Sequence, residues 1–149
     1  MNLLLLFGRA LFSAIFITSG LKHFSSQMIG YAASHGVPFP SVLVPLSGLI
    51  SFAGGLMLFL GWRARMGAWL LILFLLPVTF TMHRYWDLSD PMLAMQQQAH
   101  FWKNMAMVGG AIAYAYFGAG PIGIDGRRAA RKIARVPLVE RRREHAVHS

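Results

Sequence analysis

The chain has 149 residues, no cysteine and a formal net charge of +9. Hydrophobic residues make up 56% of it and charged residues only 13%, about half the share of a soluble domain. Such a chain lacks the polar groups to cover a soluble surface, so lipid is the expected solvent. The absence of cysteine excludes disulfides, thiol redox chemistry and thiolate-held zinc or iron–sulfur clusters within it.

The first apolar run, Leu3 to Leu21, is long enough to span a bilayer and is broken only by Arg9. A cleaved signal peptide would carry its charge ahead of the apolar run, not inside it, so an uncleaved helix is the better reading. Gly20 is expected to close this helix. The connector from Lys22 to Ser41 has helical spacing at Phe24, Met28, Ile29, Tyr31 and Ala32, consistent with a short interfacial helix. Gly36-Val37-Pro38-Phe39-Pro40 reads as a turn.

Val42 to Leu60 is the second span, with Pro45 in its first turn and Gly48, Ser51 and Gly55 close to one face, where small residues admit a neighbouring helix. Leu58 is expected to face lipid. Gly61-Trp62-Arg63-Ala64-Arg65 is a short basic turn that sends the third span, Met66 to Met82, back antiparallel. Pro77 removes one backbone hydrogen bond from that span, and Thr79 and Thr81 are the expected substitutes. Asp87 to Ala99 reads as a polar loop turning at Asp90-Pro91. The fourth span runs from about His100 to Phe117, with Gly109 and Gly110 as packing positions, and Gly118, Gly120 and Pro121 stop it.

The fold class expected is therefore all-α: a polytopic antiparallel bundle of four transmembrane helices over residues 1–125, followed by a flexible basic tail over 126–149. Arg127, Arg128, Arg131, Lys132, Arg135, Arg141, Arg142 and Arg143 lie in that tail. Basic residues beside a membrane helix set orientation and touch anionic lipid headgroups, so no nucleic-acid partner is expected. With Arg63 and Arg65 on the same side, the positive-inside rule puts both termini in the cytoplasm of a bacterial cell, with the chain in the cytoplasmic (inner) membrane.

Antiparallel threading then brings Thr18, Ser19, Lys22 and His23, Ser47 and Ser51, Thr79, Thr81 and His83, and His100, Lys103 and Asn104 towards one outer half of the bundle. The inner half is apolar apart from Arg9 and Ser13. This asymmetry predicts a polar pocket open to the outer face, with Lys22, His83, Lys103 and Asn104 above Ser51. Its ammonium and amide donors suit a quinone oxygen or a small oxyanion. The histidines His23, His83 and His100 lack the spacing of a metal site, and no metal or other cofactor is evident. Nothing in the sequence forms a catalytic motif.

Several stretches, taken in order, resemble the DoxX family of small four-helix bacterial membrane proteins over about residues 4–125. They are Gly8-Arg9 with Phe16 to Lys22; Gly36-Val37-Pro38; Leu49 to Gly55; Gly61 to Arg65; Thr81-Met82-His83; and His100 to Asn104 with Gly109-Gly110. The resemblance implies a four-helix bundle and a link to redox biology, since relatives include a subunit of a thiosulfate:quinone oxidoreductase and a component of a membrane oxidoreductase complex. It also implies a glutamate where this chain has Ser51, so that restoring it would offer a lysine a buried partner. Three functions are compatible with these observations. They are a subunit or partner of a quinone-linked membrane redox system, a small-molecule binding or transport protein, and a structural protein without a ligand.

Overall fold

The structure, a computed structural model, describes residues 2–133. Its elements are α1 (Asn2–Lys22), α2 (Ser26–Ser34), α3 (Pro40–Leu60), α4 (Ala64–Met82), a single 3-10 turn (Tyr85–Asp87) and α5 (Pro91–Phe117). A further helix, α6, covers 124–133 where the sequence reading expects a flexible tail; residues 134–149, with Arg135 and Arg141 to Arg143, lie outside the described residues. The fold is all-α. In lipid this follows from backbone chemistry, because a helix satisfies its own N–H and C=O groups.

Three helical segments, Leu3–Lys22, Pro40–Leu60 and Ala64–Asp87, are long and apolar enough to cross a membrane. The fourth long helix, α5, runs along α4; α4 packs on α3 and α3 on α1. The ring of Phe12 meets that of Tyr114 at 5.2 Å, bringing α1 to α5. The core these helices enclose is built from Phe16, Leu58, Leu71, Leu75, Val108 and Ala111. Large apolar side chains also cover the outside: Leu11, Leu49, Trp69, Leu73 and Ile112 are exposed. A surface of that kind matches hydrocarbon rather than water.

Two close approaches set the helix spacing. A Cβ on Gly48 would lie 2.7 Å from the Gly20 carbonyl oxygen, and one on Gly54 would lie 2.9 Å from that of Gly67. Gly20 is therefore the point where α1 crosses α3, not the end of α1, which continues to Lys22. Gly55 rests against Phe16 and Ile17, and Gly110 against the Phe12 ring. Gly109 differs from the sequence expectation: nothing lies within 4 Å of where its Cβ would be, because it points away from the bundle. Leu58 is likewise corrected. It is completely buried, since it follows Ser51 and Gly55 by seven and three residues on the same helix face.

Pro45 falls deeper than its span suggested. α3 starts at Pro40, which places Pro45 in the second turn. Pro77 lies within a continuous α4, but Thr79 and Thr81 do not replace its bond. Their hydroxyls donate to the carbonyls of Leu75 and Pro77 at 2.6 and 2.7 Å, while the carbonyl that Pro77 deprives is that of Leu73. α5 begins nine residues ahead of His100. Asp90 caps it, accepting from the amides of Met92 and Leu93 at 2.8 and 3.2 Å, with Pro91 at the first helical position. The stretch read as a loop is thus a helix turn with a proper start, continued by helix-compatible glutamines.

At the end of the bundle away from α2 the chain locks itself. Gly61 closes α3 in a Schellman arrangement, its amide bonded to the Leu58 carbonyl and that of Trp62 to Met57, both at 3.0 Å. Asp125 donates its own amide to the Gly61 carbonyl (2.9 Å) and accepts from the amide of Ala64 (3.1 Å), capping α4 from a distant part of the chain. Arg9, almost wholly buried, donates to the Ala119 carbonyl at 2.7 Å.

Candidate functional site: an apolar cavity with a polar head

The opposite end of the bundle is hollow. A cavity of about 770 Å³ lies between α1, α3, α4 and α5, and α2 with the Gly36-Val37-Pro38 turn forms part of its wall. Its body is apolar, with Phe16, Ile50, Leu73, Phe74, Val78 and Met107 among its walls. That size falls in the range of sites for drug-sized molecules.

The sequence placed five residues at this site, and the structure brings three of them to it. His83, Lys103 and Asn104 line the cavity. Lys22, the last residue of α1, is exposed and outside the lining. Ser51 is fully buried and also outside it; its hydroxyl donates to the Phe16 carbonyl at 3.1 Å and fastens α3 to α1. The two misplacements have one cause. Both residues sit at about the right depth, but helix rotation turns them away, and rotation follows from packing at Gly20, Gly48 and Gly55.

Asn104 is the most telling of the three. It is only 6% exposed and lines the cavity, yet its amide makes no side-chain hydrogen bond among the described residues. Its amide is therefore open to a ligand in the cavity. One residue earlier, Lys103 reaches the cavity and donates to His100 Nδ1 at 3.3 Å. His100 stacks on His83 with ring centres 5.3 Å apart, and His83 Nδ1 bonds Gln97 Oε1 at 2.7 Å. α5 thus supplies an amide and an ammonium at the head of an apolar chamber, steadied by a histidine pair that ties α5 to the end of α4.

The connector contributes more than its sequence suggested. His35, Tyr31 and Met28 of α2 and its cap also line the cavity. The only advance signal was helical spacing between Phe24 and Ala32. His23, from the end of α1, lines it too, with its ring edge on Phe74 at 5.6 Å. No group of three or more histidine, aspartate or glutamate side chains capable of holding a metal ion occurs among the described residues.

Long apolar helices with lipid-compatible outer faces around a small polar-headed chamber define a compact polytopic membrane protein. The family model for DoxX matches residues 4–84, over half of the chain, and the chain belongs to the DoxX family. The match ends just after α4, so Lys103 and Asn104 lie beyond it. The chain is also similar to the inner membrane protein YphA of Escherichia coli (strain K12), with 29% identity over 126 residues covering 83% of this chain and 89% of YphA. No solved structure matches it.

Proposed function

We propose that this DoxX-family protein binds a single amphipathic molecule with an electron-rich oxygen head, of the quinone class, and acts as a subunit or partner of a membrane redox system. The observation that carries the reading is the Asn104 amide, which lines one end of an apolar chamber without a side-chain hydrogen bond among the described residues, beside the Lys103 ammonium. Both donate to a carbonyl oxygen, and the surrounding low-polarity walls strengthen such bonds and hold an alkyl-substituted ring. YphA is named as an inner membrane protein, which supports the same membrane for this chain. Arg63, Arg65, Arg127, Arg128, Arg131 and Lys132 lie at the end opposite the cavity. The positive-inside rule then favours cytoplasmic termini and a cavity in the outer half of the membrane.

The test is mass spectrometry of protein extracted gently with its native lipids. A stoichiometric quinone or comparable amphiphile is expected in the wild type and lost from Lys103→Met and Asn104→Leu, with both variants folded. A protein free of any such molecule, with both variants retaining the wild-type phenotype, would support a structural role instead.

A further inference from the structure

The histidines that line the cavity share one feature. His23 Nδ1 lies 2.8 Å from the Ser19 carbonyl oxygen, His35 Nδ1 2.9 Å from the Tyr31 carbonyl oxygen, and His83 Nδ1 2.7 Å from Gln97 Oε1. A carbonyl or amide oxygen can only accept, so in each ring Nδ1 carries the hydrogen. In the neutral imidazole that leaves Nε2 with a lone pair and no hydrogen. Among the described residues no hydrogen bond uses Nε2 of these three rings. His100, which does not line the cavity, has the reverse arrangement: the Lys103 ammonium can only donate, so His100 Nδ1 accepts.

Two of the lining hydroxyls point the same way. Ser47 donates its hydrogen to the Val44 carbonyl at 2.8 Å, and Thr81 donates to that of Pro77 at 2.7 Å. Each has only oxygen lone pairs left for a ligand. The polar groups of the chamber therefore include both donors and hydrogen-depleted acceptors. Lys103 and Asn104 of α5 offer donors, as do Ser19, Tyr31 and Arg84, while the imidazoles of His23, His35 and His83, with the Ser47 and Thr81 hydroxyls, offer acceptors whose own hydrogens are already used. A quinone has two carbonyl oxygens and no donor, so it satisfies the α5 side and leaves the acceptors unmatched.

We infer that the cavity selects the hydroxyl-bearing, reduced form of its ligand: a hydroquinone or alkylated phenol whose O–H groups donate to imidazole Nε2 while an oxygen accepts from Lys103 and Asn104. The inference rests on the proposed quinone-class site and adds to it which redox form is held. It concerns binding alone and involves no electron transfer. The three imidazoles come from separate elements and form no metal-holding group, which favours separate O–H partners over a shared cation.

The experiment compares decylubiquinol, decylubiquinone and the dimethyl ether of the quinol, bound anaerobically to the full-length protein in nanodiscs. The three probes share ring and tail, and only the quinol carries O–H groups. The quinol is expected to bind about tenfold more tightly than either of the others, the effect of one satisfied against one unsatisfied buried acceptor. His35→Phe, which removes an acceptor without touching the His83–His100–Lys103 chain, should narrow that gap, and His23→Phe provides a second acceptor removal if the first variant folds poorly. Equal binding of quinol and quinone, or of quinol and its ether, would overturn the inference and leave the quinone-class site standing. Failure of all three probes to bind would overturn both.

Discussion

Gly48 of α3 lies so close to Gly20 of α1 that a Cβ on Gly48 would stand 2.7 Å from the Gly20 carbonyl oxygen and 2.5 Å from the His23 Cβ. The obstacles are backbone and the stem of a cavity-lining residue, neither of which can swing aside. The contact therefore fixes the crossing of α1 and α3 and, through His23, one wall of the cavity. Gly48→Ala should cost about 2 kcal/mol or more through forced separation of the helices. Gly109→Ala is the matched control. It meets open space inside a helix, so it should be neutral or stabilise by up to about 1 kcal/mol. Thermal unfolding in detergent distinguishes the two, and equal effects would mean that the helices do not cross at Gly48.

Asp125 ties α6 to the bundle by bonding both Gly61 and Ala64. Its carboxylate satisfies an N-terminal amide of α4, which has no side-chain cap of its own. Asp125→Ala should cost about 1 kcal/mol, as loss of a helix cap does. It should also speed limited proteolysis at Arg127 and Arg128, since α6 loses its anchor. Unchanged cleavage would show that Arg9 and Ala119 hold this end without it.

Ser51 gives a prediction opposite to the one its family position suggested. It is fully buried against Phe16, while Lys22 and Lys103 are both exposed, so neither ammonium is set against it. Ser51→Glu should leave a buried carboxylate unpaired and cost about 3 kcal/mol or more. Ser51→Ala removes one hydrogen bond between α1 and α3 and should cost about 1 kcal/mol. Measured side by side, a Ser51→Glu variant as stable as the wild type would reveal a cation within reach.

Topology is tested with reporters active only outside the cytoplasm. One inserted after Leu88, between α4 and α5, should be active, and one fused after Ser149 should be inactive. Activity at Ser149 would reverse the orientation and place the cavity in the cytoplasmic half.

The sequence alone determined the all-helical class, the three spans it began at Leu3, Val42 and Met66 (to within about two residues of the helix starts), and the depth of most polar groups. Composition and apolar run length carry that information, because a bilayer admits a spanning chain only when its backbone is internally bonded. It also showed that polar groups gather at one end, since antiparallel threading follows from the short turn at Gly61 to Arg63. Rotation about each helix axis was a different matter. Lys103 and Asn104 face the cavity while Lys22 and Ser51 do not, and Leu58 is core while Gly109 is surface, although all were assigned by the same depth and spacing. In a bundle whose outside is as apolar as its inside, the hydrophobic pattern cannot mark the buried face. Close backbone contacts at Gly20, Gly48, Gly54 and Gly67 decide it, and these exist only once the helices have met.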